Sequence, residues 1–169
     1  HIVSAKITEV EYGTITVQTY MKITIITVGN KPNSPAQQLI YDWEKRLSRH
    51  IQLSWHFIPH AKGDTKAAVR SESIMLSSKI PDKSFVILLD ERGSQLSSPN
   101  FSELLFSANK DIIFIIGGAY GVDDSIRNRA DYIWSLSKLV FPHELVRLLL
   151  IEQLYRADCI QRGHPYHHD

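Results

Sequence analysis

The feature that most constrains this chain is its alternation of short, unbroken β-branched runs with longer amphipathic stretches. Residues 23–28, 85–89 and 112–116 are apolar or Thr at every position. They are closed by Gly29, by Asp90 and Gly93, and by Gly117 and Gly118. A strand that is apolar on both faces must be covered on both faces, the condition of a parallel sheet sandwiched by helices. The intervening segments carry apolar residues at helical spacing: Leu39, Trp43 and Leu47; then Val69, Ile74 and Leu76 within 65–79; then Phe101, Leu104 and Leu105. Residues 51–57 alternate and predict a half-exposed strand, 132–136 a last strand, and Pro142 opens a long apolar helix. Ser34-Pro35 and Ser98-Pro99 are helix-start signals, and Asp123 and Asp124 suit another. The predicted fold is α/β, a mostly parallel sheet with helices on both faces.

At 169 residues the chain fits one domain and can bury a core without disulfides or structural metal. No apolar run approaches the length of a membrane span. One cysteine, Cys159, allows no internal disulfide, which fits a reducing compartment and predicts a cytoplasmic protein. The balance of 19 Lys+Arg against 18 Asp+Glu gives +1, so charge alone does not argue for nucleic acid. Lys45, Arg46, Arg49, Lys62, Lys66 and Arg70 outnumber nearby acids, which reads as a solvated face or a local RNA-facing patch. Residues 1–20 precede a native-looking start at Met21 and read as an extension outside the domain. A hairpin built on Ile7, Val10, Ile15 and Val17 around Gly13 is the competing reading.

Ligands of open parallel sheets bind at the strand ends. Three such junctions lie in the C-terminal half: 89–93, 116–121 and 136–142. The glycines follow neither the dinucleotide fingerprint nor the phosphate-binding loop, which argues against nicotinamide dinucleotides and P-loop nucleotides. The tail holds His164, His167 and His168, which could ligate a metal, but no second cluster with ligand spacing accompanies them and no metal site is expected. Cys159 has no activating partner in sequence.

Six segments occur together and in order: Leu89-Asp90-Glu91-Arg92-Gly93, Phe114 through Gly121, Trp134-Ser135-Leu136-Ser137, Phe141-Pro142-His143, Glu152 through Ala157, and Gly163-His164-Pro165-Tyr166-His167. In these the chain from Met21 onward resembles the bacterial large-subunit rRNA pseudouridine N3-methyltransferases, small enzymes of the SPOUT class. The resemblance implies a trefoil-knotted homodimer that takes its methyl group from S-adenosylmethionine. It implies a pseudouridine of 23S rRNA in the assembled ribosome as substrate. It assigns the cofactor pocket to Leu89, Gly118 and the loop Ser137, Lys138, Leu139, Val140, Phe141 and Pro142. Val140 stands where a threonine is expected. The resemblance makes Tyr166 and His167 the groups that orient the base or move its N3 proton, with Arg156 binding phosphate or charge on the uracil oxygens. His168 stands where relatives carry a basic residue. Two other classes compete: a catalytically silent ribosome- or RNA-binding protein on the same fold, and a metal-dependent hydrolase using the histidine tail.

Overall fold

The computed structural model describes residues 20–30 and 34–167. The proposed hairpin of residues 7–17, the loop at Pro32 and Asn33, and His168 lie outside them. The described chain alternates five strands with five helices: β1 (Met21–Val28), α1 (Pro35–Glu44), β2 (Ile51–Ile58), α2 (Thr65–Ser77), β3 (Phe85–Ser94), α3 (Ser98–Ser107), β4 (Ile112–Ile116), α4 (Asp124–Arg129), β5 (Tyr132–Trp134) and α5 (His143–Gln161). The strands form one sheet in the order β2-β1-β4-β3-β5, every pair parallel. Ile25 lies between Trp55 and Phe114, and Phe114 between Ile25 and Ile87.

The pleat divides the core. One face gathers Ile23, Ile25, Ile87, Phe114 and Trp134 under Ile40 of α1, Phe101 and Leu105 of α3, and Leu150, Ile151 and Leu154 of α5. The other gathers Ile26, Val28, Val86, Leu88 and Ile115 with Leu76 of α2 and Ile126 of α4. β4, central and flanked on both sides, is buried at all five positions, as its unbroken apolar run requires. β2 is an edge strand whose interior alternates between exposed and part-buried residues.

Several local expectations are corrected. α2 does not bury Ile74, which is 60% exposed. At about 100° per residue Ile74 stands about 200° from Leu76, so the two cannot share a face. The helix instead buries Ala68, Glu72, Ser73 and Leu76. The cap of α3 is Ser97, whose hydroxyl accepts from the Asn100 N–H, while Ser98 donates to Gln153 Oε1 of α5. Ser34 occupies the cap position of α1, yet its hydroxyl donates to Glu144 Oε2 at 3.1 Å and ties α1 to α5. β5 ends at Trp134, short of residue 136; just beyond it the Ser135 hydroxyl donates to the Ser137 carbonyl. α5 is not apolar all round: it buries Arg147 and Asp158 beside its leucines, while Leu145 is exposed. Among the described residues no helix is long and apolar enough to cross a membrane.

Candidate cofactor pocket and tail cluster

Leu89 pairs with Ile116 on one side and Trp134 on the other, so β4 and β5 end level with it. β3 does not close at Asp90 as its apolar run predicts but continues through Gly93 to Ser94, with a shift of register against β5. Beyond the ends of β4 and β5 opens a cavity of about 450 Å³, walled by the three junctions singled out in the sequence and by His143 and Val146 of α5. Of the eight residues assigned to a cofactor, Leu89, Gly118, Ser137, Leu139, Val140 and Phe141 line it. Lys138 lies in the same loop without lining the cavity, and Pro142 forms the N-cap of α5. The mouth is apolar: Tyr120, Leu139 and Val140 all line the cavity and are strongly exposed.

The walls are pre-shaped by short hydrogen bonds. Ser137 Oγ accepts from the Leu139 N–H at 3.0 Å, so the loop after β5 closes on itself. On the opposite wall the Gly121 N–H donates to the Gly118 carbonyl at 2.9 Å, with Gly121 at φ +78°, a turn conformation suited to glycine. Next to Leu89 in β3 the Asp90 side chain is buried and accepts from both Arg92 and Arg127. Burial alone would raise its carboxyl, but the bonds from Arg92 and Arg127 outweigh that and hold it below the ordinary carboxylate range. Trp134 stacks on Phe101 with centroids 4.1 Å apart. Its indole Nε1 is buried and has no hydrogen-bond partner among the described residues.

His143 is held below the ordinary histidine pKa by burial first, then by the Arg147 guanidinium and by His60, with Glu72 partly opposing. The unfolded chain therefore binds this proton more readily than the folded one, and stability must fall as pH drops below the ordinary value of 6.5. Urea midpoints measured at pH 7.5 and 5.5 should fall toward acid, and should fall less in His143→Gln. An equal fall in both chains would exclude His143 as the source.

The tail residues lie elsewhere. Tyr166 packs on Tyr155 and Trp43, and its hydroxyl donates to Glu152 Oε1 at 3.0 Å. Arg156 donates to the same carboxylate oxygen, covers the Tyr166 ring, and reaches His167 Nδ1 at 3.4 Å. Of the three catalytic candidates, Arg156 and Tyr166 thus meet on Glu152, which sequence reasoning did not single out, and His167 joins them through Arg156. Its signal was present in the spacing of Glu152 and Arg156, one helical turn apart. Burial and the bond to Glu152 push the Tyr166 phenol above its ordinary pKa, so it is a neutral donor near pH 7. Arg156 stands ten residues beyond Val146 on α5, about 15 Å along the axis at about 1.5 Å per residue. Within one chain the cluster therefore does not meet the cavity.

Among the described residues no three His, Cys, Asp or Glu side chains gather as metal ligands. Lys45, Arg46, Arg49, Lys62, Lys66 and Arg70 are exposed, with Lys45 over the Tyr41 ring and Arg46 over Trp43.

The family of predicted SPOUT methyltransferases matches residues 21–167. A Geobacter metallireducens protein named ribosomal RNA large subunit methyltransferase H is 39% identical over 153 residues, covering 88% of this chain and 99% of its own. Proteins of the same name from Streptococcus suis and Clostridium botulinum (strain Kyoto / Type A2) are 39% and 37% identical, each covering 87% of this chain and 99% of its own. A solved structure of a probable methylase family protein from Haemophilus influenzae Rd KW20 superposes with a TM-score of 0.54 at 12% identity, over 88% of this chain and 70% of that one, a likeness of fold. The chain belongs to the SPOUT methyltransferases.

Proposed function

We propose that this chain transfers a methyl group from S-adenosylmethionine to 23S rRNA of the assembled ribosome, at N3 of a pseudouridine, as a cytoplasmic homodimer. The observation that carries the reading is the cavity at the ends of β4 and β5 beside Leu89 of β3, lined by Leu89, Gly118, Ser137, Leu139, Val140 and Phe141. Its volume, about 450 Å³, lies in the range of cofactor-sized sites. Its chemistry suits an adenosine: Leu89, Leu136, Phe141 and Val146 supply apolar walls, and two pre-shaped loops present backbone. The reading includes the trefoil-knotted backbone that the resemblance implies.

When bound, the cofactor supplies an electrophilic methyl group on a sulfonium. The chain must then seat the target base in line with it and relieve N3 of its proton. Tyr166, as a neutral phenol, is suited to orient the ring, its one hydroxyl hydrogen turning from Glu152 to a uracil oxygen. Arg156 is suited to stabilise negative charge on the uracil as N3 loses its proton. His167, beside the guanidinium, is the candidate to take that proton. The axial separation of this cluster from the cavity supports a site shared between two chains, each tail serving the other chain's pocket.

The test is transfer of labelled methyl from S-adenosylmethionine to assembled ribosomes. Label should appear in 23S rRNA, survive a chelator, and appear at the same rate when the chain starts at Met21. Cofactor binding without transfer would support the silent ribosome-binding reading. Loss of activity in chelator would support the metal reading.

A further inference from the structure

α2 turns two consecutive polar residues into the protein, Glu72 at 6% exposure and Ser73 at 0%. Both meet the loop that forms the β4 wall of the cavity. Ser73 Oγ accepts from the Asp123 N–H at 3.0 Å and so fixes the far end of that loop. Glu72 works at the near end. Its Oε1 accepts from the Ala61 N–H at 3.1 Å, with His60 Nδ1 3.6 Å away. Its other oxygen occupies the space beside Gly118: a methyl group on Gly118 would overlap Glu72 Oε2 and lie 3.2 Å from its Cδ.

A buried carboxylate is costly unless its place is well determined. Here it is anchored to one loop and pressed against another, and the second loop is the cavity wall. A glycine bordering a cofactor cavity is ordinarily explained by the ligand needing room. At Gly118 the room on the Cβ side is taken by the protein itself.

We propose that Glu72 is a positioning residue: it sets the Gly118 wall of the cofactor pocket from behind, with Ser73 holding the other end. Gly118 is bare because of Glu72, not because of the ligand. This rests on the reading that the cavity holds S-adenosylmethionine. A side chain at Gly118 must then act by displacing Glu72, and removing the Glu72 carboxylate must free position 118 to take a methyl group.

The experiment is a double-mutant cycle on the full chain with Gly118→Ala, Glu72→Ala and the pair, read as calorimetric affinity for S-adenosylmethionine and as melting temperature without it. Each single change should weaken binding about tenfold, and the pair should be no more than about twofold worse than Glu72→Ala alone. In the unliganded chain, Gly118→Ala should lower the melting temperature when Glu72 is present and leave it unchanged when Glu72 is Ala. Glu72→Gln, which keeps an acceptor for the Ala61 N–H, should restore affinity to within about threefold of the original chain. If Glu72→Ala does not fold, Glu72→Asp takes its place in the cycle, because it withdraws the oxygen by one methylene. Losses that multiply to about a hundredfold in the pair would mean that the methyl group meets the ligand, and would overturn the proposal. An original chain that binds no S-adenosylmethionine would instead overturn the functional reading.

Discussion

Removing residues 165–169 is expected to lower methyl transfer by at least about a hundredfold while leaving cofactor affinity within about twofold. Among the described residues, none of the tail lines the cavity. Its walls are β3 from Leu88 to Arg92, the ends of β4 and β5 with their loops, and the first turn of α5. Tyr166 and His167 belong to the cluster around Glu152 and would act only on the base. The proposed two-chain site makes a sharper version of the test. A chain disabled at the cofactor wall by Gly118→Val still carries an intact tail, and a tail-less chain still carries an intact pocket. Each is inactive alone. Mixed in equal amounts and allowed to exchange, they should recover about a quarter of the original activity, since half the dimers hold one complete site out of two. No recovery in verified mixed dimers would place the tail in its own chain's site. Undiminished transfer by the tail-less chain would remove the tail from the chemistry altogether.

Replacing Arg147 by Ala is expected to destabilise the fold by about 3 kcal/mol, lowering the melting temperature by about 6–12 °C. The guanidinium is buried at the C-terminal end of β1, where it donates to Thr27 Oγ1, to the Val28 carbonyl at 2.9 Å and to the Asn30 carbonyl at 3.2 Å. Burial pulls its pKa below the ordinary arginine value, with Glu144 partly opposing. Truncation leaves buried acceptors without donors, and their desolvation is then uncompensated. It also releases the first turn of α5, which contributes His143 and Val146 to the cavity, so cofactor affinity should fall with stability. Arg147→Lys should recover only part of the loss, because one ammonium cannot reproduce the spread of a guanidinium. A melting temperature unchanged in Arg147→Ala would show that solvent satisfies those acceptors.

Much of this architecture was legible in the residues. An apolar run such as 112–116 has one stable environment, the middle of a covered parallel sheet, and β4 lies there. The alternation of 51–57 marks a half-exposed strand, and β2 is one, which the structure places at the sheet edge. The glycines after β4 and the proline before α5 mark the turns that wall the cavity. The less legible features are those in which a polar side chain finds its partner far along the chain. Ser34 reads as a helix cap, yet bonds Glu144, 110 residues away. Glu72 does not stand out in the sequence, because helical spacing locates a face but not what that face meets. Arg147 and Asp158 sit in a leucine-rich helix that looks uniformly apolar until α1, β1 and the Ser48 turn are packed against it.

The sequence by itself determined the local states and the layers: which segments extend, which coil, and that both faces of the sheet are covered. Those follow from short-range sterics and from hydrophobic periodicity, which each segment carries whatever its neighbours do. Its motif order also carried the family. Tertiary structure alone decided the strand order β2-β1-β4-β3-β5, and with it the meeting of Leu89, Ile116 and Trp134 at one cavity. It alone placed Glu72 behind Gly118 and drew Arg156, Tyr166 and His167 together on Glu152, away from that cavity. The reason is that burial and hydrogen bonding between distant residues depend on how whole elements pack, and nothing in the local spacing of residues encodes that.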